Sequence, residues 1–119
     1  YGRKDPETGQ AYYGRGYVQL TWKFNYVKAC KKLGPDFVNQ PDLVMQPDHA
    51  AAILYRGMEE GWFTGKSLKT YFGPNHTNWI DARRIINGTD RAKQIADYAK
   101  KFKAALDAAA ALSTRKETL

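Results

Sequence analysis

Apolar residues recur at intervals of three and four along most of this chain, the repeat that places them on one face of a helix. Trp22, Tyr26, Ala29, Cys30 and Leu33 form the first stripe, and Gly34-Pro35 stops it. The spacing predicts a helix over Thr21–Leu33, capped by the Thr21 hydroxyl. Pro47 suits the first position of a second helix, because its missing N–H has no partner to lose there. Ala50, Ile53, Leu54, Gly57 and Met58 give that helix its buried stripe, and Gly61 its end. Trp62-Phe63 reads as core, and Ser67 as the cap of a short helical turn through Tyr71. Gly73-Pro74-Asn75 breaks the chain before a third helix over Trp79–Ile86, which Asn87-Gly88 ends. Thr89 or Asp90 then caps a longer helix. Its stripe is Ile95, Tyr98, Ala99, Phe102, Ala105, Leu106, Ala109 and Leu112, with lysines mainly on the flanks and opposite face.

Residues 1–20 are rich in glycine and tyrosine and read as turns and extended pieces, an irregular opening segment. No alternation of apolar and polar positions is long enough to predict a sheet, so the fold class is mainly α. Ser113–Leu119 is a polar, frayed tail. With 119 residues, 43% hydrophobic and 26% charged, the chain has ordinary globular usage and the length of one domain. We therefore expect a single domain over residues 1–112 and a tail over residues 113–119.

Charge changes the picture only in part. The formal net charge of +7 attracts anionic partners, whether nucleic acid, an acidic membrane surface or an acidic bacterial wall. Lys and Arg are spread along the chain, with short clusters at Lys31-Lys32, Arg83-Arg84 and Lys100-Lys101 and no dense basic arm, and no nucleic-acid recognition motif accompanies them. Cys30 is the single cysteine, so no internal disulfide or thiolate cluster can form. His49 and His76 lack ligand spacing, and no metal is expected. No apolar run is long enough to cross a bilayer. The start at Tyr1, without an initiator Met, suggests a processed, trimmed or incomplete product.

The most specific string is Tyr12-Tyr13-Gly14-Arg15-Gly16-Tyr17-Val18-Gln19-Leu20-Thr21-Trp22-Lys23-Phe24-Asn25-Tyr26. Gly14 and Gly16 allow backbone conformations that side chains forbid and let a polymer approach the main chain. Gln19, Thr21 and Asn25 fall at the entrance and first turn of the first helix, and a spacing of four places Thr21 and Asn25 on one face. Such short polar groups suit sugar hydroxyls, which need paired donors and acceptors. Tyr12, Tyr13 and Trp22 either fill a core or present flat faces to the apolar side of a pyranose.

The string resembles the Y-Y-G-R-G-x-x-Q-L-[ST]-x-x-x-N-Y signature of family 19 glycoside hydrolases. Arg84-Ile85-Ile86-Asn87-Gly88 resembles the family's R-x-I-N-G landmark, and Tyr1-Gly2-Arg3-Lys4-Asp5 looks like the segment ahead of the signature in phage-type members. The resemblance implies a lysozyme-like helical domain that hydrolyses β-1,4-linked aminosugar polymers with inversion. It matches Thr21 to the residue that positions the attacking water, and Tyr12, Gln19, Asn25 and Asn87 to residues that contact the sugar. Arg15 and Arg84 are expected to brace the backbone.

Inverting hydrolysis needs a carboxylic acid to protonate the leaving oxygen and a carboxylate to activate water. The glutamates are Glu7, Glu59, Glu60 and Glu117, and none follows a histidine as the family's general acid does. In the family both catalytic glutamates precede the segment resembled by Tyr1–Asp5, so the resemblance places them ahead of this chain. Glu7 reads as a solvated turn charge, and Glu59-Glu60 as surface. The basic charge favours peptidoglycan over chitin, and the missing cysteine pairs argue against a plant chitinase. We therefore expect a monomeric endolysin of bacterial or phage origin acting on the cell wall, with a polysaccharide substrate and no cofactor, nucleic-acid partner or membrane insertion. A non-catalytic saccharide-binding remnant is the alternative.

Overall fold

The first helix begins later than its apolar stripe suggests: α1 spans Lys23–Leu33, and Trp22, not Thr21, is its cap residue. Thr21 therefore does not cap it. The chain must first leave a tight loop, and the Trp22 N–H is already spent on the Tyr12 carbonyl at 2.9 Å. Gly34 ends α1 as expected, at φ 104°, with its N–H bonded to Cys30 O at 2.8 Å.

In this computed structural model the backbone of residues 1–118 and the side chains through residue 113 are described. Two compact units divide the chain, Tyr1–Glu59 and Glu60–Leu119. In the first, a 3-10 turn at Pro41–Met45 leads into α2, Pro47–Glu60, with Pro47 at the start as its missing N–H predicts. Ala50, Ile53 and Gly57 are the buried face of α2, while Leu54 and Met58 are half-buried. With Tyr12, Leu20, Tyr26, Ala29, Phe37 and Val44, Ala50 and Ile53 make up the first unit's core. Phe37 meets the His49 ring edge-to-face at 5.4 Å.

The second unit departs further from expectation. Ser67 precedes α3, Leu68–Tyr71, and its N–H donates to Thr70 Oγ1 at 3.2 Å. A two-residue antiparallel hairpin follows, β1 (Phe72–Gly73) against β2 (His76–Thr77), pairing Phe72 with Thr77 and Gly73 with His76. Strands of two residues leave no alternation to read, which is why the sequence shows only the Pro74-Asn75 break. The expected helix over Trp79–Ile86 is instead a 3-10 turn at Asp81–Ile85. Asn78 fixes its start, accepting from Asp81 N at 3.0 Å and donating to Asp81 Oδ2 at 2.8 Å. Thr64 Oγ1 donates to the Arg84 and Ile85 carbonyls at 2.6 and 3.0 Å.

The last helix, α4, spans Ala92–Thr118. Thr89 serves it with its carbonyl, which accepts from Ala92 N at 3.0 Å, whereas Asp90 O accepts from Arg83 Nε of the 3-10 turn at 3.1 Å. Among the described side chains of α4 the buried ones are Ala92 and Ala96, where the helix packs on the Asp81–Ile85 turn. Beyond them the expected stripe is open: Tyr98, Phe102, Leu106 and Leu112 are exposed, Phe102 at 71%. Helical backbone continues into the stretch read as a tail as far as Thr118, and the side chains of 114–119 lie outside the described residues. The protein is mainly helical, as predicted.

Candidate functional site

Residues 15–20 close a tight loop through two backbone bonds, Leu20 N to Arg15 O at 2.9 Å and Arg15 N to Leu20 O at 3.2 Å. Gly16 sits inside it at φ 76°, where an added Cβ would lie 3.0 Å from Val44 O and 3.2 Å from Val44 Cγ1. Glycine is needed there for both conformation and space. At Gly14 a Cβ would lie 2.8 Å from Gln19 Oε1, so this glycine makes room for the Gln19 amide. That amide is held from below, with Nε2 donating to Gly16 O at 3.0 Å.

Arg15 braces the loop from inside. Its side chain is buried, donating to Ala11 O at 2.9 Å, Tyr26 Oη at 3.0 Å and Asp42 Oδ1 at 3.0 Å. The guanidinium also lies 3.8 Å from the centre of the Tyr13 ring. Burial works against its charge, yet the bond to Tyr26 and the neighbouring rings leave its pKa raised. Tyr26, fully buried, donates its hydroxyl hydrogen bond to Tyr13 O at 2.7 Å, and burial pushes its pKa up. Ala11, Tyr13, Arg15 and Tyr26 thus form one connected set beneath the loop.

Two bulky residues at the entrance of α1 adopt backbone conformations that favour glycine. Gln19 has φ 52°, and Trp22 has φ 72° with ψ 137°, outside even the left-handed helical well. Each costs on the order of 1–3 kcal/mol and persists only where surrounding bonds over-determine it. The Arg15–Leu20 pair does this for Gln19. Bonds from Trp22 N to Tyr12 O and from Asn25 N to Trp22 O, at 2.9 and 3.0 Å, do it for Trp22.

The outward residues follow from this frame. Thr21 is half-buried, and its carbonyl accepts from Asn25 Nδ2 at 2.8 Å. Among the described residues nothing hydrogen-bonds the Thr21 hydroxyl, which is left to solvent or ligand. Asn25 has its amide nitrogen fixed, and among the described residues nothing hydrogen-bonds its side-chain oxygen. Gln19, Thr21 and Asn25 are thereby brought to one stretch of backbone at the entrance of α1. Tyr12 is not among them: it is 3% exposed, its hydroxyl donates to Val38 O at 2.8 Å, and its ring packs against Tyr26 at 5.0 Å. The structure makes it a core residue in place of the expected sugar contact. Asn87 belongs to the second unit, exposed, with Oδ1 accepting from Gly88 N at 2.9 Å. There it follows the 3-10 turn, so the helix it was expected to end is not formed.

Sequence reading missed Lys23, which ties the opening segment to α1. Its Nζ donates to Asp5 Oδ2 at 3.0 Å and Glu7 Oε2 at 2.9 Å. The Lys23 bond, opposed by partial burial and assisted by bonds from Thr8, holds the Asp5 carboxyl below its ordinary range, while Glu7 and then Asp5 raise the lysine. A carboxyl held ionised in this way is a poor proton donor. Glu7 is an exposed partner of the same clamp, its side chain 82% open. Glu59 and Glu60 are exposed at the end of α2, where Glu60 accepts from Trp62 Nε1 at 3.1 Å. Glu117 lies outside the described side chains.

A family model described as chitinase class I, of glycoside hydrolase family 19, matches residues 3–77. The chain is 37% identical over 84 residues to a basic endochitinase of Vitis vinifera and 38% identical over 84 residues to endochitinase CH5B of Phaseolus vulgaris. Each match covers 71% of this chain and 24% of the relative. Chitinase 11 of Oryza sativa subsp. japonica is 34% identical over 116 residues, covering 76% of this chain and 44% of that protein. The chain thus spans about a quarter of the length of the first two relatives, and no solved structure matches it. These relatives are plant proteins, which overturns the expected bacterial or phage origin and action on a cell wall of that kind. The inference failed because positive charge and few cysteines are compatible with many settings and identify none. The Arg84–Gly88 landmark falls outside the matched residues, whereas the loop, Lys23 and Asn25 fall inside them, and on that match the chain belongs to glycoside hydrolase family 19, the class I chitinase family.

Proposed function

We propose that the loop at the entrance of α1 is one wall of a saccharide cleft in a glycoside hydrolase acting on β-1,4-linked N-acetylglucosamine polymers, chitin first among them. The observation that carries this is the Thr21 hydroxyl, which nothing among the described residues hydrogen-bonds, on the same stretch of chain as two amide side chains whose nitrogens are already fixed, Gln19 to Gly16 O and Asn25 to Thr21 O. Fixing the nitrogens presents the amide oxygens as acceptors of set direction for sugar hydroxyls or an acetamido N–H. In this reading Thr21 holds the attacking water, and Gln19 and Asn25 contact the sugar. Tyr12 supports the wall from within.

Chitin is preferred to peptidoglycan because the relatives carry the names endochitinase and chitinase, and nothing in them favours a peptidoglycan preference. Cleavage with inversion needs a protonated carboxyl at the leaving oxygen. The described carboxylates near the wall are clamped or solvent-exposed, with Asp5 held ionised. We therefore expect the 119 residues to bind the polymer without cleaving it unaided. The test is titration of the chain with chitotetraose, followed by backbone and side-chain amide resonances, alongside a reducing-end assay. Shifts centred on Gln19, Thr21 and Asn25 without new reducing ends are expected. A chain whose resonances in residues 14–26 do not move at saturating sugar would refute the saccharide reading.

A further inference from the structure

The family signature assigns polar contacts to the loop but leaves Trp22 without a role, and its position is costly twice over. Its backbone sits at φ 72° and ψ 137°, a conformation glycine adopts freely and tryptophan does not. Its side chain is 50% exposed, although an indole is among the largest apolar surfaces a core can bury. Folding gains from neither. Among the described residues the ring makes one aromatic contact, with Tyr1 at 5.5 Å and an interplanar angle of 81°. An edge-to-face contact covers at most one face of the indole, and Tyr1 is itself exposed.

We propose that Trp22, buttressed by Tyr1, is a sugar-stacking platform that sets one subsite of the cleft beside Thr21 and Asn25. This inference rests on the saccharide reading above and adds a specificity-determining residue to it. In a β-1,4-linked aminosugar the ring substituents are equatorial, so each pyranose presents a flat patch of C–H groups on either face. Such a patch is matched by a rigid aromatic ring and not by the amides of Gln19 and Asn25, which serve the hydroxyl edge. The backbone supplies the coupling between the two kinds of contact. Trp22 O accepts from Asn25 N at 3.0 Å, and the Thr21 carbonyl accepts from the Asn25 side chain at 2.8 Å, so platform and polar contacts move as one body. An ordinary φ at residue 22 would redirect its side chain; the strained one persists because Tyr12 O and the first turn of α1 hold it.

The experiment compares the 119-residue chain with Trp22→Gly and Trp22→Phe, measuring chitotetraose affinity by calorimetry and thermal stability by circular dichroism. Trp22→Gly removes the platform and relieves the backbone, so we expect affinity about tenfold weaker, or about 1.4 kcal/mol, with stability unchanged or raised. Trp22→Phe keeps an aromatic face and is expected to bind within about threefold of the parent. The paired outcome, weaker binding in a variant that is no less stable, is one a merely structural tryptophan would not give. Trp22→Gly binding as tightly as the parent would overturn the platform while leaving the saccharide reading standing. Failure of the parent itself to bind chitotetraose would overturn both, and resonances of residues 14–26 in the same titration separate those cases.

Discussion

Replacing Arg15 with alanine tests whether the wall is held from inside. The side chain makes one bond to the buried Tyr26 Oη, one to the part-buried Ala11 O and one to Asp42, and lies against the Tyr13 face. A bond from a charged donor contributes about 1.5–3 kcal/mol, and the ring contact about 1 kcal/mol. Asp42 is 75% exposed, so that pair is screened and is worth at most about 1 kcal/mol. Desolvation of the guanidinium opposes these gains, and the net loss for deleting one member of such a set is about 3–4 kcal/mol. At a urea slope of about 1.5 kcal/mol/M the midpoint falls by roughly 2 M. Arg15→Lys keeps the charge but loses the planar fork, and is expected to lose about half as much. Urea unfolding is best followed through amide signals of Leu20 and Tyr26, which report on the first unit. A midpoint for Arg15→Ala within about 0.3 M of the parent, or an Asp42→Ala variant as damaged as Arg15→Ala, would refute the internal brace.

Gly16→Ala combines a φ of 76° with a Cβ 3.0 Å from Val44 O, and is expected to cost about 2 kcal/mol in the same denaturation assay. Leu106→Ser on α4 is expected to change stability by less than about 0.5 kcal/mol, because that side chain is 70% exposed; a core-sized loss would show the stripe buried in solution. The Lys23 clamp should open at both ends of the pH scale. Asp5 has its folded pKa below the usual 3.8, so its contribution is complete above that value and is lost as pH falls through the lower folded one. Lys23 has its folded pKa above 10.5, so its share is complete below that value and disappears as pH rises through the raised one. Amide shifts of Thr8 and Gly9 should therefore be flat across neutral pH and move together at the extremes; a transition near neutrality would contradict the clamp.

The helices were legible where one local rule decided them. Gly34, Pro47 and Ser67 each act through their own backbone chemistry and mark ends correctly without tertiary help. Burial was less legible, because periodicity shows which residues share a face and not whether anything covers that face. Ile95 through Leu112 make a regular stripe, yet only the first turns of α4 meet the Asp81–Ile85 turn. The start of α1 was misplaced for the opposite reason. Thr21 has the better capping side chain, but long-range bonds from Tyr12 and the Arg15–Leu20 pair fix the path of the chain into the helix. Positive φ at Gln19 and Trp22 has no sequence signal, since propensity argues against both residues there.

That mismatch explains why so short a string identifies the family while misassigning one of its members. Tyr12, Arg15, Leu20 and Tyr26 point inward and hold a backbone that would not otherwise stay strained, and Gly14 and Gly16 clear the space it needs. Gln19, Thr21, Trp22 and Asn25 are carried on that backbone, and their directions depend on the inward set being complete. A motif of this kind therefore mixes residues that make contacts with residues that aim them, and residue type alone does not tell the two apart. Tyrosine at position 12 has the same hydroxyl and ring as a sugar-binding tyrosine, but its hydroxyl is committed to Val38 O and its ring to Tyr26. It follows that substitutions at Tyr12 or Arg15 should change the stability of the wall before they change its sugar preference, whereas substitutions at Gln19, Trp22 or Asn25 should change preference in a wall that still folds.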